Sequence, residues 1–238
     1  MNIHHLAHTL EKQGYFILDD VYSISEIQQI TTHVDQASQN SEGFLKTNDL
    51  FAVRQLLKNI PKLKEVLFNT HLISLLSTIY KTKYFLTKAI YFDKPPTSNW
   101  FVPYHQDLSI SVNQKIDTPN YKNWTYKKGQ YGVQPPLKVL ENSTAIRIHL
   151  DDTTLENGAL KVIPTSHSKG IIRTDLKDWD INTEKIGNVK KGGAMLMKPL
   201  TLHASNRTTN GKRRRVIHLE FCDQKLESPL EWLEYHSL

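Results

Sequence analysis

Tyr84-Phe85-Leu86-Thr87-Lys88-Ala89-Ile90-Tyr91-Phe92 is a run of aromatic, branched and apolar residues that Lys94-Pro95-Pro96 closes. Runs of this kind bounded by turn residues read as strands. Further strands are expected at 145–151, 160–163, 193–198 and 215–221, each bounded by Gly, Pro or Asn. Short strands with no helices between them predict a mainly β fold, a sandwich or jelly roll.

The sequence before this run has helical character. Ile3, Leu6 and Leu10 recur at helical spacing, with Gly14 placed to end the helix. Tyr15-Phe16-Ile17-Leu18 is a short strand, and Ser23-Ile24-Ser25-Glu26 has the pattern of a capping box that opens a helix with Ile24, Ile27, Ile30 and Val34 on one stripe. Residues 38–49 are polar and read as a loop. Pro61 suits the first turn of a helix carrying Leu63, Val66 and Leu67, and another helix is expected from about 70 to 80. The expected organisation is therefore one domain over 1–238, with 1–82 mostly helical support and 83–222 the β core.

Chemistry enters at Pro103-Tyr104-His105-Gln106-Asp107. In a strand, residues two apart share a face, so His105 and Asp107 can reach one ion while Gln106 points away. The best third ligand is His203 in Leu202-His203-Ala204-Ser205. Two histidines and a carboxylate form the facial triad of non-haem Fe(II) oxygenases. Further on, Arg214 lies in Arg213-Arg214-Arg215-Val216-Ile217-His218-Leu219-Glu220-Phe221, which alternates like a strand. Its guanidinium is suited to clamp the far carboxylate of 2-oxoglutarate.

Between residues 109 and 139 lies a long stretch without an evident strand or helix pattern, containing Trp124, Tyr126, Lys127 and Tyr131. A loop of this length directly after Asp107 is expected to be a lid, and these four side chains are candidate substrate contacts.

With 30 Lys+Arg against 24 Asp+Glu the formal net charge is +6. The basic run from Lys212 to Arg215 would be scattered over two faces by a strand, so no nucleic-acid partner is expected. A single cysteine, Cys222, excludes an internal disulfide framework. The start lacks a basic segment followed by an apolar one, and no apolar run approaches a bilayer span, so the expectation is a soluble, cytoplasmic protein with no membrane partner. No heptad pattern points to an oligomeric state.

These residues carry a resemblance. Gly14 to Asp20, Lys94-Pro95-Pro96, His105-Gln106-Asp107, the stretch Asn157-Gly158-Ala159-Leu160-Lys161-Val162-Ile163-Pro164-Thr165-Ser166-His167, His203 and Arg214 together resemble the phytanoyl-CoA dioxygenase family of Fe(II)/2-oxoglutarate-dependent oxygenases, which includes ectoine hydroxylase. The resemblance implies a double-stranded β-helix, the cupin-like jelly roll, with helices packed outside. It implies iron ligands at His105, Asp107 and His203, and a 2-oxoglutarate carboxylate held by Arg214 with Ser205. The implied reaction uses O2 and 2-oxoglutarate to hydroxylate an unactivated C–H bond of a small molecule, giving succinate and CO2. Lys88 stands where related positions in the family approach the co-substrate. Arg147, in Ile146-Arg147-Ile148-His149-Leu150-Asp151, departs from the aromatic residue of some members. It either points inward and adds a positive charge to the pocket, or makes a surface salt bridge to Asp151 or Asp152. Asp107 argues against the halogenase branch, where a small residue replaces the carboxylate. Asn157-Gly158 is expected to supply a hairpin turn. The alternatives are an oxidative nucleic-acid demethylase and a non-catalytic cupin-like binder of metal or ligand.

Overall fold

Gly14 ends helix α1 (Ile3–Gln13) in a left-handed conformation, φ +81°, and turns the chain into β1 (Tyr15–Leu18). A Cβ there would stand 2.4 Å from the His167 ring, so only glycine fits. This is a computed structural model, and it describes residues 3–37, 44–47, 51–98, 100–127, 129–173 and 179–238. Helix α2 (Ile24–Asp35) starts with the expected capping box, Ser23 and Glu26 satisfying each other's backbone N–H. Ile27, Ile30 and Val34 are buried, whereas Ile24 sits in the first turn and is exposed.

Strands β2 (Phe44–Lys46) and β3 (Phe51–Arg54) follow, then α3 (Leu56–Asn59), α4 (Leu63–Leu67) and α5 (Thr70–Ile79). The β-rich part consists of β4 (Phe85–Lys94), β5 (Val102–His105), β6 (Ile110–Val112), β7 (Lys122–Lys127), β8 (Gln130–Gln134), the short helix α6 (Leu137–Glu141), β9 (Ser143–His149), β10 (Leu160–Val162), β11 (Lys185–Gly187), β12 (Ala194–Met197), β13 (His203–Ser205), β14 (Arg214–Cys222) and β15 (His236–Ser237).

All pairings are antiparallel. The main sheet runs β1-β12-β9-β14-β4-β3-β2, with β15 also on β4, and a second sheet runs β11-β10-β13-β5. The fold is a mainly β jelly roll. Strict alternation gives the main sheet two different faces. Ile146 and Ile148 of β9, Ile217, Leu219 and Phe221 of β14, Ala89 and Tyr91 of β4 and Val53 of β3 join Leu6, Ile27, Leu63 and Leu72 of the helices in one buried cluster. Each of the Val, Leu, Ile and Phe side chains contributes about 1.5–3 kcal/mol on burial, which fixes the register of the sheet. The intervening residues, Arg147, Arg214, His218, Glu220, Lys88, Ile90, Phe92 and Arg54, face the second sheet.

Two expectations are corrected. Within the polar loop assigned to 38–49, residues 44–46 form a strand that pairs with β3, while 38–43, 48 and 49 lie outside the described residues. The stretch 109–139 has its own secondary structure, a three-stranded sheet β6-β8-β7 followed by α6. β7 and β8 pair locally, Lys127 opposite Gln130, but their strands mix polar with aromatic residues, so no apolar period advertises them. The C-terminal segment ties this sheet down. Asn113 N–H donates to the Glu231 carbonyl, Leu233 N–H donates to Ser111, and Trp232 packs with Ile110, Val112 and Val133. No helix of the described residues is long and apolar enough to cross a membrane.

Candidate active site

His105 ends β5 and His203 begins β13, directly opposite each other across the two strands, with ring centroids 4.2 Å apart. Each imidazole is oriented in the same way. Nδ1 of His105 lies 2.9 Å from the Pro103 carbonyl, and Nδ1 of His203 lies 2.9 Å from the Thr201 carbonyl. A carbonyl accepts only, so Nδ1 carries the proton and Nε2 keeps its lone pair. The two Nε2 atoms each stand 3.7 Å from one oxygen of Asp107. All three ligand atoms lie within 4.8 Å of one another, a group able to hold a metal ion. Two lone-paired imidazoles and one carboxylate fit Fe(II) and leave further positions open.

Asp107 does not lie in the strand, as the H-x-D spacing suggested. The ladder stops at His105, and Gln106 anchors the departing chain by donating to the Gly170 and Leu200 carbonyls and accepting from Ile172 N–H. Asp107 N–H then donates to the Pro199 carbonyl at 2.9 Å. Burial pulls the His203 pKa down to about 4, so it is neutral and ready to ligate at pH 7. Burial would raise Asp107, but His203, His218, His105 and Lys88 outweigh it and bring the carboxyl to about 2.

The triad opens onto a cavity of about 580 Å³ between the two sheets. Arg147 points into it, so the inward alternative holds. Asp151 is instead taken by Arg215, at 2.7 and 2.9 Å. One Arg147 nitrogen donates to His218 Nδ1 at 3.3 Å, His218 Nε2 donates to Glu220 at 2.9 Å, and both Glu220 oxygens accept from Lys88 Nζ at 2.8 Å. Lys88 therefore faces the cavity as half of an ion pair. Burial lowers the Arg147 pKa, with Asp107 opposing. These four side chains form one chain across β9, β14 and β4, which no short motif announces.

Arg214 is buried on the same face and donates to the Gly158 carbonyl. Burial, then Arg147, brings its pKa to about 9, still mostly charged at pH 7. Its Nε is buried without a partner. Gly158 ends a 3-10 turn (Leu155–Asn157) with φ +87°, so Asn157-Gly158 is not a hairpin turn. A Cβ on Gly158 would stand 2.9 Å from Lys94 Nζ and from the Asn206 carbonyl. Ser205 is buried and lines the cavity beside Arg214.

Of the four aromatic and basic candidates in 109–139, Lys127 and Tyr131 line the cavity. Trp124 and Tyr126 do not. Trp124 packs on the apolar cluster of Ile110 and Val133, and Tyr126 is exposed with its ring 4.7 Å from Tyr131. The parity of β7 sends Asn123, Thr125 and Lys127 to the cavity instead. Arg54, also in the lining, went unnoticed in the sequence because β3 is short and its pairing with β4 is nonlocal.

Residues 10–216 match the family model described as Phytanoyl-CoA dioxygenase. The chain belongs to the phytanoyl-CoA dioxygenase family. Phytanoyl-CoA dioxygenase domain-containing protein 1 of Danio rerio is 33% identical over a match covering 37% of this chain and 36% of that protein, so the chain spans about a third of that relative's length. Among solved structures, EctD from S. alaskensis superposes with a TM-score of 0.72 at 16% identity, covering 94% of this chain and 79% of that one. HygX from Streptomyces hygroscopicus, with nickel, 2-oxoglutarate and hygromycin B bound, gives 0.67 at 13% identity, covering 94% and 88%. EvdO2 from Micromonospora carbonacea var. aurantiaca, complexed with 2-oxoglutarate, gives 0.66 at 19% identity, covering 97% and 96%. The family is thus the one the resemblance named, and the fold is shared with solved structures that bind 2-oxoglutarate.

Proposed function

We propose that the protein is an Fe(II)- and 2-oxoglutarate-dependent dioxygenase that hydroxylates an unactivated C–H bond of a small molecule. The observation that carries this reading is the meeting of a His105–Asp107–His203 cluster and a buried, charged Arg214 in one cavity. When bound, iron and 2-oxoglutarate supply the oxidising power drawn from O2, with succinate and CO2 as co-products.

The chain's own residues have separate tasks. His105, Asp107 and His203 hold the metal, their Nε2 lone pairs presented by the two carbonyl contacts. Arg214, braced by Gly158 and helped by the Ser205 hydroxyl, binds the distal carboxylate of 2-oxoglutarate. Arg147 adds a second guanidinium beside Asp107, oriented by His218. Lys88 keeps Glu220 neutralised so that the wall remains net positive. Phe92, Trp100 and Tyr131 give the cavity apolar surface that limits water.

Anaerobic titration of the apoprotein with Fe(II) and 2-oxoglutarate tests this. A visible charge-transfer band is expected in the wild type. It should vanish in His203→Ala and, in Arg214→Ala, require roughly a hundredfold more 2-oxoglutarate, about 2–3 kcal/mol for a charged contact. Bound metal with no band would sink the proposal. Nucleic acid is a poor alternative substrate, because Arg213 and Arg215 of the basic run are paired with Asp93 and Asp151 and Arg214 points inside.

A further inference from the structure

The wall opposite the metal holds a cation that the proposed chemistry leaves unused. Arg54, at the end of β3, lines the cavity, and its Nε is buried without a partner. Among the described residues no carboxylate pairs with it. Arg54 is directly opposite Ile90 of β4, Ile90 is opposite His218 of β14, and His218 is opposite Arg147 of β9. These four residues form one cross-strand row on one face. At about 4.8 Å per strand the Arg54 and Arg147 backbones are roughly 14 Å apart, which is enough to seat a small molecule between their side chains.

The backbone of Arg54 is held firmly. Its carbonyl accepts from Asn59 Nδ2 at 2.8 Å, and the next residue, Gln55, is fixed at φ +47°, a conformation unfavourable for a non-glycine residue. The charges around it do not balance. Lys88 is cancelled by Glu220, and the metal, Asp107, Arg214 and the two carboxylates of 2-oxoglutarate cancel as a set. Among the described residues, Arg54, Arg147 and Lys127 remain as cations facing the cavity with no acid to offset them.

We infer that the prime substrate is an organic anion, bearing a carboxylate or phosphate, whose charged group is bound by Arg54 with Lys127 while its body lies against Phe92, Trp100 and Tyr131. This deepens the reading of the cavity as an iron and 2-oxoglutarate site and rests on it. The anion end sets the depth of insertion, so the carbon presented to the metal is chosen by its distance from that charge.

The test uses protein loaded with Ni(II) and 2-oxoglutarate, titrated with benzoate, phenyl phosphate and the neutral benzamide by ligand-observed NMR. Benzoate or phenyl phosphate should bind at least tenfold more tightly than benzamide. Arg54→Gln should remove that preference, and Arg54→Lys should restore part of it. The anaerobic Fe(II)/2-oxoglutarate band must persist in both variants, which separates this inference from the cofactor assignment. Equal binding of benzamide, anion binding unchanged in Arg54→Gln, or no anion binding in a wild type that gives the band would each overturn it. Loss of the band in the wild type would instead overturn the cofactor reading beneath it.

Discussion

At the scale of single residues, Gly158 joins backbone geometry to the proposed co-substrate contact. Its carbonyl holds Arg214, and its positive φ with Lys94 and Asn206 close by leaves no room for a side chain. Gly158→Ala should lower stability by about 1–3 kcal/mol through strain and crowding. It should also weaken 2-oxoglutarate binding in an anaerobic titration while metal affinity stays unchanged. Glu234 provides a second case. Its carboxyl accepts from Ala89 N–H at 3.2 Å, its other oxygen is buried without a partner, and burial raises its pKa from 4.5 to about 7. A carboxyl raised on folding favours the fold fully below pH 4.5, and that contribution is lost as pH rises through 7. Glu234→Gln should therefore match the wild type in urea unfolding near pH 4 and exceed it above pH 7, by on the order of 3 kcal/mol. Equal stability of the two proteins at pH 8 would contradict this. His105 and Asp107 were legible in the sequence because they stand two residues apart, whereas His203 and Arg214, far along the chain, needed the ligand count and the family resemblance. Arg147 carried a usable signal too. It lies between Ile146 and Ile148, both taken by the helical core, so parity alone turns it toward the cavity.

Among the elements, β7 and β8 show what the sequence concealed. The stretch 109–139 reads as a lid loop because its strands pair with one another and with nothing adjacent in the apolar pattern. A one-residue change of parity decides whether Trp124 and Tyr126 or Asn123, Thr125 and Lys127 meet the substrate, and composition cannot supply that parity. Gly132, central in this small sheet, has Thr125 Oγ1 and Ser109 Oγ at 2.7 and 2.9 Å from where a Cβ would be. Gly132→Val should thrust into the cavity wall and cut affinity for the prime substrate or its anionic probes at least tenfold. The Fe(II)/2-oxoglutarate band should be retained, since β5 and β13 hold the two histidines and the Pro199 carbonyl anchors Asp107. Arg54 was missed for a related reason: a four-residue strand gains its meaning only from the strands beside it.

For the molecule as a whole, the apolar core and the chemistry occupy opposite faces of one sheet. The metal cluster therefore contributes to stability only by linkage. Chelation with EDTA should leave the secondary structure intact by circular dichroism. Saturating metal and 2-oxoglutarate should raise the unfolding temperature, adding about 2.7 kcal/mol for each ligand at a hundred times its Kd. Collapse of the fold on chelation would contradict this. The jelly roll and its helical support were legible because apolar residues mark the main strands and the helices, whereas the face each polar residue takes depends on pairings the sequence does not display.

The alternation along β14 has a consequence for how the protein can change over generations. Ile217, Leu219 and Phe221 answer to folding, while Arg214, His218 and Glu220 answer to the cavity. Substitutions at the second set act on the cavity and leave the apolar set in place, so selection on chemistry and selection on folding act on different letters of one word. Insertion or deletion of a single residue within the strand would exchange the two sets at once. The lineage should thus purge every change in the length of β14.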